Sequence, residues 1–344
     1  MIDEAAGWGT VRRWPSLTPA TATAPRNTGA AVPFAQAAAL IKDLPGITLS
    51  TKRVERAAEA AGAQATAALH SDTEAVLTGQ VVPLPPVPEP EPEILYIAVD
   101  GTGVPMTTAE TAGRAGKGPD GRARTREAKP ACLFTQTGLD ADGRPVRDAD
   151  STSHLATLEP VEKFSDLVAA EARRRGSNHI RQLVALGGGA HWIWNLATAR
   201  FPEATQIVDL FHAREHLHEL ADLLAFIITE DPNDWYQARR AELDNGDIEA
   251  IINAAKIYPL VGPRATERRK ALACFRTNAH RMRYARFRRR GMFVGSGTVE
   301  AGCTAVVGQR LKLSGMRWSG TGATSIITLR CQHASTHHNQ TTAA

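Results

Sequence analysis

Short apolar runs bounded by glycine, proline and polar turn residues recur through the middle of the chain, and each has the length of a β-strand. They predict strands over the following segments: 94–99, 131–136, 183–186 and 205–210, with a possible further strand over 144–147. Helical periodicity lies between them over 159–175 and 191–200. The alternation of strands and helices predicts an α/β fold.

The first 93 residues carry a different pattern. Residues 1–33 show no period and are expected to be a flexible start. Helical patterns over 34–44 and 52–69 flank a glycine-containing turn, so the segment 34–80 is either helix-turn-helix-like or a plain αα-hairpin. Proline lacks an amide hydrogen and restricts the residue before it, so the proline-rich stretch 81–93 is predicted to be an extended linker.

A long helical region separates the last predicted strand from the end of the chain. The pattern over 213–290 is helical throughout and is broken at 231–232, 245–246 and 259–263. It predicts an all-helical insertion into a core formed by 94–212 and 291–335. Three β elements, a helix, a strand, a helix and a strand are the element order of a ribonuclease H-like core.

The formal charge of +4 is modest, but the basic residues cluster. Ten arginines and Lys270 lie between positions 264 and 290 against one acid, Glu267. Met282, Tyr284 and Phe287 alternate with them, so one face is expected to pack while the other contacts phosphate. The arginines expected to contact DNA are Arg283, Arg286 and Arg289. The alternative is a solvated run of charge.

The apolar runs are too short to cross a bilayer, and the start has no charged segment followed by an apolar one. The sequence therefore predicts a cytoplasmic protein without a membrane partner. Its four cysteines form no C-x-x-C pair, so neither a disulfide framework nor a cysteine zinc site is indicated, and we expect them to be reduced and mostly buried.

Acids at the ends of predicted elements are the candidate catalytic residues. Asp100 ends the first strand and precedes Gly101, which leaves an open approach to its carboxylate. Glu300 begins a helix behind a glycine- and serine-containing turn, and Asp209 ends the last strand. Carboxylates that converge from distant positions are what two-metal phosphodiester cleavage requires. Each also has a structural interpretation, as a turn residue or a helix cap.

Histidines and a second basic block add to these candidates. His212 follows Asp209 and lies four residues before His216, a spacing that could bind zinc if a third ligand were available. The block 310–319 holds three cations and an exposed-looking tryptophan, which would suit contacts to phosphate and base. Its candidate residues are Arg310, Lys312, Arg317 and Trp318. Lys129, beside the first strand, either touches DNA or covers the sheet edge.

Taken together, these motifs resemble those of bacterial insertion-sequence DDE transposases, in the Kra-type group distantly akin to Mutator-like transposases. The resemblance covers about 34–330 and rests on the following segments: 99–105, 126–129, 187–194, 209–212, 295–300 and 310–318. It implies binding of transposon-end DNA, strand cleavage and transfer with Mg²⁺ or Mn²⁺, and Asp100 and Glu300 as metal ligands. Asp209 and His212 match a D-x-x-H feature with a supporting role. It also implies a homo-oligomer that acts on DNA in the nucleoid.

One position departs from the family pattern. Where the family has G-D-G-A, this chain has Gly187-Gly188-Gly189-Ala190, so Gly188 occupies the place of the second catalytic Asp. Loss of one of three acids is expected to cost metal affinity and rate. We therefore expect an impaired transposase or a non-catalytic DNA-binding remnant. A third hypothesis takes the two glycine-rich turns as phosphate loops of an actin-like or sugar-kinase ATPase.

Overall fold

A computed structural model describes residues 19–44, 47–80, 89–116, 118–295, 297 and 304–335. The described chain has an α/β fold built around one mixed sheet. Within it, no helix is both long and apolar enough to cross a bilayer.

The strands of the main sheet are β1 (Ile94–Val99), β2 (Thr102–Pro105), β3 (Thr125–Gln136), β6 (Ser153–Thr157), β7 (Gln182–Gly187) and β8 (Thr205–Val208). β3 runs antiparallel to β1, β2 and β6, whereas β7 runs parallel to β1 and β8 runs parallel to β7. Every residue of β1 is buried, because helices cover both faces of the sheet centre. β1 is therefore the centre of the largest apolar core.

The strand predictions are confirmed for β1, β3, β7 and β8, although β3 begins six residues earlier than the predicted 131. The predicted third strand over 144–147 is wrong as a member of the main sheet. β5 (Pro145–Val146) pairs only with β4 (Gly138–Leu139) in a separate two-stranded ribbon. The missing strand is β6, which pairs with β3 from Lys129 to Leu133.

Three helices precede the sheet, namely α1 (Pro19–Ala31), α2 (Phe34–Lys42) and α3 (Thr51–Leu77). The expectation of a flexible start over 1–33 is wrong for α1, while residues 1–18 lie outside the described part. Ser50 caps α3, and its hydroxyl accepts from the amide of Arg53. α3 continues eight residues beyond the predicted end and packs on the core, with the hydroxyl of Thr66 2.9 Å from that of Thr328.

The region after β8 is helical, as the sequence predicts, and residues 209–290 form five α-helices. They are α7 (Leu210–Leu224), α8 (Pro232–Asn245), α9 (Ile248–Lys256), α10 (Gly262–Asn278) and α11 (Tyr284–Arg289). The predicted breaks are caps: Asp231 caps the start of α8, and Gly246 ends it in the left-handed conformation at φ 79°. Their apolar faces join the core beneath β1 and β7.

Among the described residues, the remaining α-helices are α4 (Thr108–Thr111), α5 (Val161–Arg174), α6 (His191–Arg200), α12 (Gln309–Leu311) and α13 (Gly320–Ala334). α13 packs against α3 and β6 and forms a second core with Val104, Met106 and Trp318. The described cysteines, Cys132, Cys274 and Cys331, are free, and Cys132 and Cys331 are buried as predicted.

Candidate functional site

Three parallel strands end together at one edge of the sheet. Val99 of β1 lies opposite Gly187 of β7, and Gly187 lies opposite Val208 of β8. The next residue of each strand is Asp100, Gly188 or Asp209. The carboxyl ends of parallel strands are where ligands collect in α/β sheets. The sheet therefore brings the three positions into one row, with the glycine in the middle.

Asp100 lies at one end of this row. Its backbone amide donates to the carbonyl of Pro130 at 3.1 Å, which holds the turn after β1. Its side chain is half-buried. The next residue, Gly101, lies so close to Glu127 that a Cβ atom there would be 2.5 Å from Oε1 of Glu127. A side chain at position 101 would therefore require the exposed carboxylate of Glu127 to move.

Glu127 is an acid near Asp100 to which the sequence alone assigned no role. The early start of β3 places it opposite Gly103 of β2, and its side chain is exposed. The predicted strand began only at 131, so Glu127 lay outside it. A second carboxylate therefore lies beside the turn that carries Asp100.

Asp209 caps α7. Its Oδ1 accepts hydrogen bonds from the backbone amides of Phe211 at 2.8 Å and His212 at 3.0 Å. Only 5% of the residue is exposed. An acid at a helix start also gains from the helix dipole. This is the capping interpretation that the sequence left open. One carboxylate oxygen of Asp209 is therefore engaged by the backbone of α7.

Gly188 has room for a side chain. A Cβ atom at position 188 would meet the imidazole of His212 at 3.5–3.7 Å, an ordinary contact distance. Its neighbour Gly187 is different, because a Cβ there would lie 2.7 Å from the carbonyl oxygen of Val99. The backbone at 187 thus requires glycine, whereas the backbone at 188 does not.

His212 and His216 face each other on α7. Their Nε2 atoms are 3.1 Å apart, and their rings meet edge to face with centroids at 4.5 Å. Nδ1 of His216 is 3.0 Å from Oε2 of Glu219, and Nδ1 of His212 is 3.6 Å from Oε2 of Glu215. The imidazoles are therefore fixed with both Nε2 atoms directed to one point near position 188.

Of the two metal ligands that the resemblance implies, only Asp100 lies among the described residues. Magnesium takes oxygen ligands, several of them from carboxylates. Here Gly188 offers none, and Asp209 is a buried cap. Among the described ranges, no group of three or more His, Cys, Asp or Glu side chains is arranged to hold a metal ion. Glu300, the other predicted ligand, lies outside the described residues.

Basic side chains lie close to this edge. The hydroxyl of Tyr284 donates to the carbonyl of Val208 at 3.0 Å, which anchors α11 beside Asp209. Burial raises the pKa of Tyr284 well above its ordinary value, so the hydroxyl stays a donor. As predicted, Met282, Tyr284 and Phe287 are buried while Arg286 and Arg289 are exposed. α11 therefore presents its arginines to solvent next to the row.

Not all the predicted cations are equally available. Arg283 is in a two-pronged ion pair with Glu249, at 2.6 and 2.7 Å. Nζ of Lys129 donates to the carbonyl of Glu159 at 3.0 Å, and burial lowers the pKa of Lys129. Lys312 is exposed and contacts the hydroxyl of Thr102, two residues after Asp100. Arg317 is exposed. Lys312 thus lies near the end of the row that Asp100 forms.

The expected exposure of Trp318 is wrong, since only 6% of it is accessible. Its indole N–H donates to the carbonyl of Leu311 at 3.1 Å, and its backbone pairs with the end of β2. Arg310, expected to contact phosphate, is completely buried. Its guanidinium donates to the carbonyl of Gly29 and lies over the rings of Phe34 and Trp318. Both residues fasten the N-terminal helices to the core.

No family model and no curated protein matches this chain.

Proposed function

We propose that this protein binds the terminal DNA of an insertion element as a DDE transposase by descent, and that Gly188 leaves its strand cleavage impaired. The observation that carries the proposal is the row of Asp100, Gly188 and Asp209 at the ends of β1, β7 and β8. A glycine with space for a side chain lies at its centre, where an acid would complete the row.

The strand order supports a ribonuclease H-like core. The strand order is β2, β3, β1, β7 and β8, and β6 also pairs with β3. β3 is antiparallel to β1, β2 and β6, whereas β7 and β8 run parallel to β1. That is the arrangement expected from three β elements followed by two β-strands that helices connect. Fold alone does not decide function, so the proposal depends on the residues of the row.

The surroundings of the row support binding without efficient cleavage. Arg286, Arg289, Lys312 and Arg317 are exposed cations. Tyr284 holds α11, which carries Arg286 and Arg289, beside Asp209, and Lys312 contacts Thr102. They are suited to the DNA backbone, because each phosphate that is neutralised releases counterions. By contrast, the chain has one acid fewer than the three of the family pattern, because position 188 is glycine. Asp209 caps α7, which argues against its replacing the missing carboxylate. By the resemblance, the working form is a homo-oligomer that holds two DNA ends in the nucleoid.

Binding is tested with a duplex that contains an end of the surrounding element, titrated at several salt concentrations. We expect log K to fall steeply with log salt, and R286A/R289A to weaken binding and reduce the slope by about 2. R181A is the matched control, since Arg181 is also exposed but precedes β7 at the opposite edge of the sheet. Retention on immobilised ATP without binding to DNA would instead favour the ATPase hypothesis.

A further inference from the structure

The imidazole pair on α7 is arranged as a metal-binding half-site. Nδ1 of His216 lies 3.0 Å from Glu219, and a carboxylate only accepts, so the proton of a neutral His216 belongs on Nδ1. Its Nε2 lone pair then faces Nε2 of His212 across 3.1 Å. Two nitrogens at this distance require a proton or a cation between them. In the neutral pair, His212 donates that proton.

The same separation suits a transition-metal ion. Zinc–nitrogen bonds of about 2.0–2.1 Å place two ligand nitrogens roughly 2.9 Å apart at a right angle and roughly 3.4 Å apart at a tetrahedral angle. The observed 3.1 Å lies between these values. Carboxylates at Nδ1 of metal-bound histidines are the usual outer partners that orient the ring. Glu219 occupies that place at His216, at 3.0 Å, whereas Glu215 lies 3.6 Å from Nδ1 of His212, beyond hydrogen-bond distance.

We propose that His212 and His216 bind one divalent transition-metal ion, of the class of Zn²⁺, Ni²⁺ or Co²⁺, through their Nε2 atoms. Imidazole favours these ions over Mg²⁺, which prefers oxygen ligands. The side chains are 36% and 32% exposed, so an ion can reach them and water completes its coordination. The absence of a three-residue ligand group in the described part makes this a two-imidazole site. The site does not depend on DNA binding.

The chain offers a matched control on the same helix. His218 is also exposed and also lies close to an acid, with Nδ1 3.2 Å from Asp222, but its ring packs against Tyr236. Calorimetric titration with Ni²⁺ and with Zn²⁺ at pH 7.5 compares three full-length proteins: H337A/H338A, and the same double variant with H216A or with H218A added. The shared H337A/H338A background removes a second histidine pair. Circular dichroism verifies that each variant is folded.

We expect one ion per chain, lost or weakened at least about tenfold in H216A and unchanged in H218A, with no comparable heat from Mg²⁺. A parallel titration with Co²⁺ gives an independent optical measure of the same site, because the absorption bands of bound cobalt should be lost in H216A. The proposal is overturned if the unaltered pair binds neither ion, if H218A loses as much affinity as H216A, or if Mg²⁺ binds equally well.

Discussion

A Cβ atom at position 188 would lie 3.5 Å from Nε2 of His212, at ordinary contact distance. At position 187, one residue earlier, the nearest atom to a new Cβ would be the carbonyl oxygen of Val99 at 2.7 Å. The two glycines therefore have different reasons to be present. Gly187 is required by the close packing of β1 against β7. Gly188 occupies a place where a side chain fits, and it is the place at which the resemblance expects an acid.

This difference predicts opposite effects on stability. Gly188→Ala should change the free energy of unfolding by less than about 1 kcal/mol, because the new methyl group meets only ordinary contacts. Gly187→Ala should destabilise by about 2–3 kcal/mol, because the carbonyl of Val99 and the side chain of Ile193 must shift. Denaturant unfolding of both variants measures this. Equal losses would show that position 188 is as tightly packed as position 187.

Arg310 and Arg317 should separate structural from DNA-binding roles. Arg310→Ala removes a buried guanidinium that packs on two rings, leaving the carbonyl of Gly29 without this donor, so we expect a loss of about 3 kcal/mol in stability. Arg317→Ala should leave stability unchanged, weaken DNA binding and lower the salt slope by about 1. Thermal unfolding and a salt-dependent titration check both. A stable R310A that loses only DNA affinity would contradict the structural role.

His154 should make stability depend on pH. Burial, and then the nearby Arg147 and Arg175, lower the pKa of His154 from 6.5 to about 4. Above pH 6.5 both the folded and the unfolded state hold a neutral imidazole, so the contribution is fully present. As pH falls from 6.5 to 4 only the unfolded state takes up the proton, and stability is lost by something on the order of 2 kcal/mol.

The measurement is the free energy of unfolding of the protein and of His154→Gln between pH 7.5 and 4. The variant should show a shallower decline over that interval, because glutamine does not titrate. Parallel curves for the two proteins would show that His154 protonates equally in both states, and that the decline arises elsewhere.

Much of the fold could be predicted because its centre follows simple patterns. β1 and β7 are apolar runs followed by glycine, and α8 begins at the cap made by Asp231 and ends at Gly246. β6 was missed because the segment Ser153–Thr157 has few large apolar residues. Pairing with β3, rather than its own composition, fixes it as a strand.

The local errors have a common physical cause, which is burial by distant segments. α1 has a weak helical pattern but is held by packing against α3, where Gly29 lies close to Ala58. Trp318 has polar neighbours in the sequence, yet Phe34 and Arg310 cover it. Contacts across roughly 280 positions leave no periodic signal. The row of Asp100, Gly188 and Asp209 was easier to predict from the sequence, because each position directly follows a recognisable strand.

Under the proposed function, position 188 lacks the acid that DNA cleavage needs. Nicking of an end-containing duplex with Mg²⁺ or Mn²⁺ is compared for the unaltered protein, Gly188→Ala and Gly188→Asp. Gly188→Ala adds a side chain without a carboxylate and is the matched control. Asp100→Asn in the Gly188→Asp background tests whether any restored cutting depends on the first acid of the row.

We predict that all the proteins bind the duplex and that Gly188→Asp alone nicks it at a measurable rate, with the activity lost when Asp100 is also changed. If the unaltered protein cuts as fast as Gly188→Asp, another acid completes the site, and the account of position 188 is wrong.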